Sequence, residues 1–155
     1  MLKRKNGKIV RLISTIEKEL GDLDKLKLEI DQLDVHTMNP RVLGSILHDF
    51  YTGVEKIFMT IANELEGGVP ESRSWHKDLL DDMALELEGI RPPVIDDDLR
   101  QNLEEYLRFR HLFRGIYGFD LDMRRLEVLF AEFSDVYDEL ISAIRTFIGF
   151  LRTLL

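Results

Sequence analysis

The chain has 155 residues, a length that fits one domain, residues 1–155, with a hydrophobic core of its own. Its 45% apolar and 32% charged residues exclude both an intrinsically disordered chain and a membrane protein. The net charge of -8 argues against binding to a DNA duplex, so any contact with RNA must come from a local cluster of basic residues.

The chain contains no cysteine, which excludes disulfides, thiolate zinc sites and cysteine nucleophiles. The N-terminal residues MLKRKNGKIV lack the apolar segment of a signal peptide. No stretch approaches 18 uncharged apolar residues, the minimum for a membrane-spanning helix. We therefore expect a cytoplasmic protein that makes no membrane contact.

Apolar residues recur every three or four positions in each long segment, which predicts an all-α protein. The first helix is predicted from about residue 8 to 35, and Asn39-Pro40 separates it from the second. That second helix starts at the proline, whose fixed φ suits a first helical turn, and ends at Gly67-Gly68.

Three more helices are predicted in the second half of the chain. A short helix begins near Ser74, which is positioned to cap it, and runs through Met83. Acidic residues 96–98 suit the first turn of a fourth helix that continues toward Tyr117. A regular apolar stripe from Leu126 to Leu154 predicts a long fifth helix with a broad apolar face. We predict an antiparallel helical bundle of four long helices plus one short helix.

The fourth helix concentrates positive charge in an otherwise acidic chain. At 100° per residue, Arg110, Arg114 and Tyr117 share one partly apolar face. Both guanidinium groups are predicted to be partly hydrated and able to hold a phosphate or carboxylate bidentately. His111 lies among these cations, which favour the neutral imidazole that can act as a base. The competing interpretation is an ion-pair network with acidic residues of a neighbouring helix.

His48, Asp49 and His76 form a possible secondary polar site, since each interrupts an apolar segment. His48 and Asp49 diverge by about 100° around a helix, which argues against a shared metal site. His36 is predicted at a helix end. The four histidines show neither the i, i+4 nor the Glu-x-x-His spacing of metal sites in bundles, so we expect no metal.

Phosphate-binding and nucleophile motifs are also missing from the sequence. There is no glycine-rich phosphate loop and no Gly-x-Ser-x-Gly elbow. Nucleotide hydrolysis and acyl transfer therefore have no support, and we expect no cofactor.

Three segments, residues 41–58, 74–80 and 106–120, together resemble the HepT-like ribonuclease-toxin domain of the HEPN superfamily. The resemblance spans roughly residues 15–150, and its most specific part is Arg110-His-Leu-Phe-Arg-Gly-Ile-Tyr117. It implies an all-α bundle that forms a homodimer, with the motif helices of two subunits meeting in a cleft for RNA. In this family an arginine, then a histidine, then a tyrosine carry metal-independent RNA cleavage.

The resemblance further implies a toxin whose antitoxin is a minimal nucleotidyltransferase that transfers AMP from ATP to the motif tyrosine. Arg110 matches the motif arginine and Tyr117 the tyrosine. The position of the motif histidine, five residues after Arg110, holds Gly115, whereas His111 follows Arg110 directly.

Two functions therefore compete. In the leading hypothesis the chain is a toxin subunit in which Arg110 and Arg114 hold RNA phosphate, His111 shuttles protons and Tyr117 is modified. The alternative, based on Gly115, is a catalytically silent helical domain that binds a partner protein. A structural arginine ion-pair network would instead make Arg110 important for folding.

Overall fold

The computed structural model describes residues 2–115 and 120–155. In these ranges the chain forms five α-helices and no β-strand: α1 Leu2–Asp31, α2 Pro40–Leu65, α3 Trp75–Met83, α4 Asp97–Gly115 and α5 Met123–Thr153. The prediction of an all-α bundle with four long helices and one short helix is confirmed.

The ends of α2 follow the predicted signals. The Asn39 side chain accepts a hydrogen bond from the Arg41 backbone N–H at 2.9 Å, and Pro40 occupies the first helical position. At the other end, Gly67 has φ +79° and Gly68 has φ +147°. These positive φ values favour glycine and let the Gly68 N–H return to the Ala62 carbonyl at 3.2 Å.

The predicted bounds of the first helix, about 8–35, differ from the observed ones, since α1 begins at Leu2 and ends at Asp31. Residues 2–5 are exposed and lack apolar periodicity, yet Leu, Lys and Arg are good helix formers. The end comes early because the Asp34 carboxylate accepts a hydrogen bond from the His36 backbone N–H at 3.1 Å. This local bond favours a turn over a further helical turn. His36 therefore lies in the turn after α1 and is exposed.

The predicted capping of α3 by the Ser74 side chain was wrong. Ser74 occupies the N-cap position but makes no side-chain cap bond, and its hydroxyl contacts the Asp78 carboxylate at 3.3 Å. The acidic residues suit the start of α4 as predicted, since Asp97 and Asp98 lie in its first turn. Asp96 in addition accepts a hydrogen bond from the Leu99 N–H at 2.7 Å.

Contacts between helices show antiparallel packing. Between α1 and α5, Glu17 contacts Arg152 at 3.2 Å, and Asp24 accepts a hydrogen bond from Tyr137. The later residue of α1 thus meets the earlier residue of α5, so these helices run in opposite directions. Along α2 and α4, Gly44 lies against Phe113, and later α2 residues lie opposite earlier α4 residues. The broad apolar face of α5 is buried in the shared core, as its stripe predicts.

A buried arginine holds the connection between α3 and α4. The Arg91 guanidinium donates to the Leu85 carbonyl at 2.9 Å, to the Asp82 carbonyl at 3.0 Å and to the Glu66 carboxylate at 2.8 Å. These bonds connect the loop to the ends of α2 and α3. Ion pairs of Lys77 with Glu104 at 3.2 Å and of Arg100 with Asp81 at 3.1 Å join α3 to α4, where the cationic residues lie.

Among the described residues, none of the helices combines the length and apolar character needed to cross a membrane.

Candidate functional site: a cationic cleft on the fourth helix

A cleft of about 490 Å³ lies beside α4 and is also lined by residues of α3 and α5. Glu104 is the one acidic residue in its lining, and Leu107 and Leu112 are apolar. The other lining residues are basic: His76, Lys77, Arg108, Arg110, His111, Arg114 and Arg125. Several of these cations are paired with carboxylates, but the concentration of basic residues in a chain with a net charge of -8 makes the cleft a candidate site for anions. We call it the cationic cleft.

Arg110 is buried, with 2% of its surface exposed, so the prediction of a partly hydrated guanidinium was wrong for this residue. Its Nη2 donates to Glu55 Oε2 at 2.8 Å, and its Nη1 lies 3.5 Å from the Thr52 hydroxyl. The physical reason is Glu55, a buried carboxylate on α2 that requires a cationic partner. Arg110 therefore forms the ion pair with a neighbouring helix that the competing interpretation predicted.

His76 joins this buried pair. Its Nδ1 lies 2.8 Å from Glu55 Oε2 and 3.1 Å from Arg110 Nη2. An unprotonated Nδ1 would place its lone pair against the carboxylate, so we assign the proton to Nδ1, which donates to Glu55. Two donors then converge on one carboxylate oxygen, which explains the short separation between Arg110 and His76.

Tyr51 completes the surroundings of Arg110. Its ring centroid lies 4.8 Å from the guanidinium carbon, a cation–π contact. The Tyr51 hydroxyl is buried and has no hydrogen-bond partner within the described residues. Burial, followed by the nearby Glu55 charge, raises the pKa of Tyr51 far above its ordinary value. The Tyr51 side chain is therefore uncharged where it packs against Arg110.

Arg114 differs from Arg110, because it lies exposed on the cationic cleft. Its Nε donates to His48 Nε2 at 3.4 Å. Within residues 2–115 and 120–155, no carboxylate forms an ion pair with Arg114. Arg114 is thus a cation that can hold an anionic ligand.

The predicted secondary polar site divides into two places. His48 contacts Arg114, and its Nδ1 lies 3.7 Å from the exposed carboxylate of Asp49. The His48 ring also packs against Phe113, at 5.9 Å between centroids. His76 instead belongs to the buried pair of Arg110 and Glu55.

The remaining basic residues of the cleft differ in how far they are neutralised. Lys77 pairs with Asp81 at 3.0 Å and with Glu104 at 3.2 Å, and these hydrogen bonds, led by that to Asp81, raise the pKa of Lys77. Arg108 contacts Glu105 at 3.2 Å. His111 is exposed on the cleft, where it is open to a ligand.

Tyr117, the predicted modification site, lies outside the described residues. Gly115 is the last described residue of α4, and a Cβ added there would meet no atom of the described residues within 4 Å. Among the described residues, nothing therefore blocks a larger side chain at the position that matches the motif histidine.

The described residues hold no group of three or more His, Cys, Asp or Glu side chains able to bind a metal ion. Glu55, which the sequence analysis missed, is the acidic centre of the site. Its signal was a single carboxylate on the apolar face of α2, between the buried residues Tyr51 and Phe58.

Comparison with known proteins agrees with this architecture. No curated protein and no solved structure matches the chain. The family model described as HepT-like protein matches residues 42–151, which include α3, α4 and most of α2 and α5. The match covers the cationic cleft and more than two thirds of the chain, so the chain belongs to the HepT-like protein family and carries a HEPN-type domain.

Proposed function

We propose that this chain is the toxin subunit of a toxin–antitoxin pair and that its cationic cleft binds RNA phosphates. The observation that carries the proposal is the basic lining of the cleft in an acidic HepT-like domain. Arg114 supports the proposal because it is exposed and guanidinium groups favour bidentate contact with phosphate.

Arg110 has a different role from Arg114 in this proposal. Its guanidinium is buried and paired with Glu55, so it contributes rigidity to the cleft wall. RNA cleavage then follows the metal-independent course that the family resemblance implies, with attack of the 2′-hydroxyl on the adjacent phosphodiester. His111, exposed on the cleft, is the proposed proton shuttle.

Two further parts of the proposal come from the family resemblance. A homodimer brings two cationic clefts together around RNA, and a nucleotidyltransferase antitoxin neutralises the toxin by transferring AMP to Tyr117. Both concern the motif of the resemblance, of which residues 110–115 lie on α4.

A catalytically silent protein-interaction domain is the second candidate function. Gly115 at the position of the motif histidine favours it, as does Leu112, which is 47% exposed on the cleft. An apolar side chain among cations suits a partner protein with an acidic and apolar surface.

Co-expression with the product of the neighbouring gene is expected to add one or more AMP units to Tyr117. Intact mass spectrometry followed by peptide mapping measures the adduct, and Tyr117→Phe is the control that removes the acceptor hydroxyl. An unmodified protein that cells tolerate at high levels would favour the interaction domain.

Arg114→Ala is expected to weaken binding of a single-stranded RNA on the order of tenfold, because one charge-assisted phosphate contact is lost. Fluorescence anisotropy at several salt concentrations measures the dissociation constant and its salt dependence. Arg124→Ala removes the same charge from an exposed residue of α5 outside the cleft lining, and it is the matched control. Equal weakening by both variants would contradict phosphate binding at the cationic cleft.

A further inference from the structure

We propose that His76 is the general base of RNA cleavage in the cationic cleft, taking the role left open by Gly115. The inference rests on the proposed function and adds a catalytic residue to it. His76 belongs to α3, outside the motif helix, and the contacts that single it out are those with Glu55, Arg110 and Trp75.

The first step of the argument is the tautomer of His76. With the proton assigned to Nδ1, which lies 2.8 Å from Glu55 Oε2, the neutral ring carries its free lone pair on Nε2. A carboxylate that holds the Nδ1 proton of a histidine fixes the nitrogen that accepts a proton from substrate. His76 is therefore prepared to act as a base through Nε2.

The second step is the rigidity of the ring. Glu55 is only 6% exposed and is held in place by Arg110. The Trp75 ring stacks on the imidazole, with 3.6 Å between the centroids. A base held from two sides loses little entropy when substrate binds.

The third step is access. The His76 side chain is 32% exposed, although its Nδ1 contacts buried groups, and the residue lines the cationic cleft together with His111 and Arg114. A phosphate bound by Arg114 thus shares one cleft with two imidazole rings.

Neither of the other two histidines has these properties. Nε2 of His48 accepts a hydrogen bond from Arg114, and His48 does not line the cationic cleft. His36 lies in the turn after α1, where its Nδ1 is 3.6 Å from Glu127. His76 is the histidine that combines a buried carboxylate partner with a place in the cleft.

The proposed reaction transfers protons between RNA and the two histidines of the cleft. Nε2 of His76 takes the proton of the 2′-hydroxyl while O2′ forms a bond to phosphorus. The bond between phosphorus and O5′ breaks, and protonated His111 donates a proton to O5′. The products are a 2′,3′-cyclic phosphate and a 5′-hydroxyl end, and a proton lost by His111 is replaced from water.

The test compares cleavage and binding in His76→Ala, His76→Gln and wild type, all as the full chain. Cleavage of a labelled single-stranded RNA is followed by gel, and binding is followed with a 2′-O-methyl RNA that cannot react. We expect His76→Ala to cut about 10²- to 10⁴-fold more slowly, the usual contribution of a general base, and to bind within about threefold of wild type. His36→Ala, purified in parallel, is the matched control and should cut at the wild-type rate.

Restoration of cleavage by added imidazole distinguishes a catalytic role of His76 from a purely structural one. Added imidazole should restore cleavage by His76→Ala, whose missing ring leaves space for the free base, and should not restore cleavage by His76→Gln. Cleavage at the wild-type rate by His76→Ala would overturn the inference. So would a wild-type protein that binds the 2′-O-methyl RNA and leaves the reactive RNA intact, although the proposed RNA binding would stand. A wild-type protein that does not bind RNA would overturn both.

Discussion

Replacing Arg110 with alanine is expected to lower the free energy of unfolding by about 3–5 kcal/mol, the usual cost of breaking a buried ion pair from one side. Glu55 would remain buried without its cation and without the hydrogen bond of 2.8 Å from Nη2. His76 would remain as its close polar contact. Urea denaturation monitored by circular dichroism measures the change.

Arg108→Ala is the matched control for this prediction. Arg108 lies on the same helix, but its side chain is 59% exposed and its ion pairs are at the surface, so we expect a change within about 0.5 kcal/mol. The double variant Glu55→Met/Arg110→Met removes both charges and should cost less than the two single methionine variants together. Equal stability of Arg110→Ala and wild type would contradict a buried ion pair.

The stability prediction also guides functional experiments. A loss of activity in Arg110→Ala would follow from disruption of the fold, since Arg110 joins α4 to α2. Arg114 and His111, which are exposed, are better positions for testing RNA binding and proton transfer.

Gly115→His is expected to increase RNA cleavage by the His76→Ala variant about 10²- to 10⁴-fold, because it supplies an imidazole at the position that matches the motif histidine. Among the described residues, a Cβ at Gly115 would meet no atom within 4 Å, so none of them obstructs the substitution. It also removes a glycine from the last described turn of α4, and histidine has the higher helix propensity.

Gly115→His should be compared in the wild-type and His76→Ala backgrounds. Because His76 is the proposed base, the gain in cleavage rate should be small in wild type and large in His76→Ala. Gly115→Gln, which adds a polar side chain of similar size without an imidazole, is the control. No gain in either background would contradict a catalytic role for this position and favour the protein-interaction domain.

The helices and most of their boundaries followed from the sequence because local signals determine them. Apolar spacing set the helical class, and Asn39-Pro40 and Gly67-Gly68 carry their own start and stop chemistry. The start of α1 was less predictable, since residues 2–5 form helix through intrinsic propensity without an apolar stripe.

The candidate site was only partly predictable. Helical spacing located the cationic residues on α4, and both Arg114 and His111 lie on the cleft there. Helical spacing could not distinguish Arg110 from Arg114. The burial of Arg110 depends on Glu55, which lies 55 positions earlier in the chain. The same long-range contact determines the orientation of His76.

By itself, the sequence determined an all-α bundle, the order of its helices and the cationic stretch on α4, since each depends on neighbours within a few turns of one helix. Only the tertiary structure decided which arginine is buried in an ion pair and which is exposed on the cationic cleft. It also brought His76 of α3 to the carboxylate of α2. The physical reason is that burial and ion pairing arise where helices meet, and helix packing joins residues that no local pattern relates.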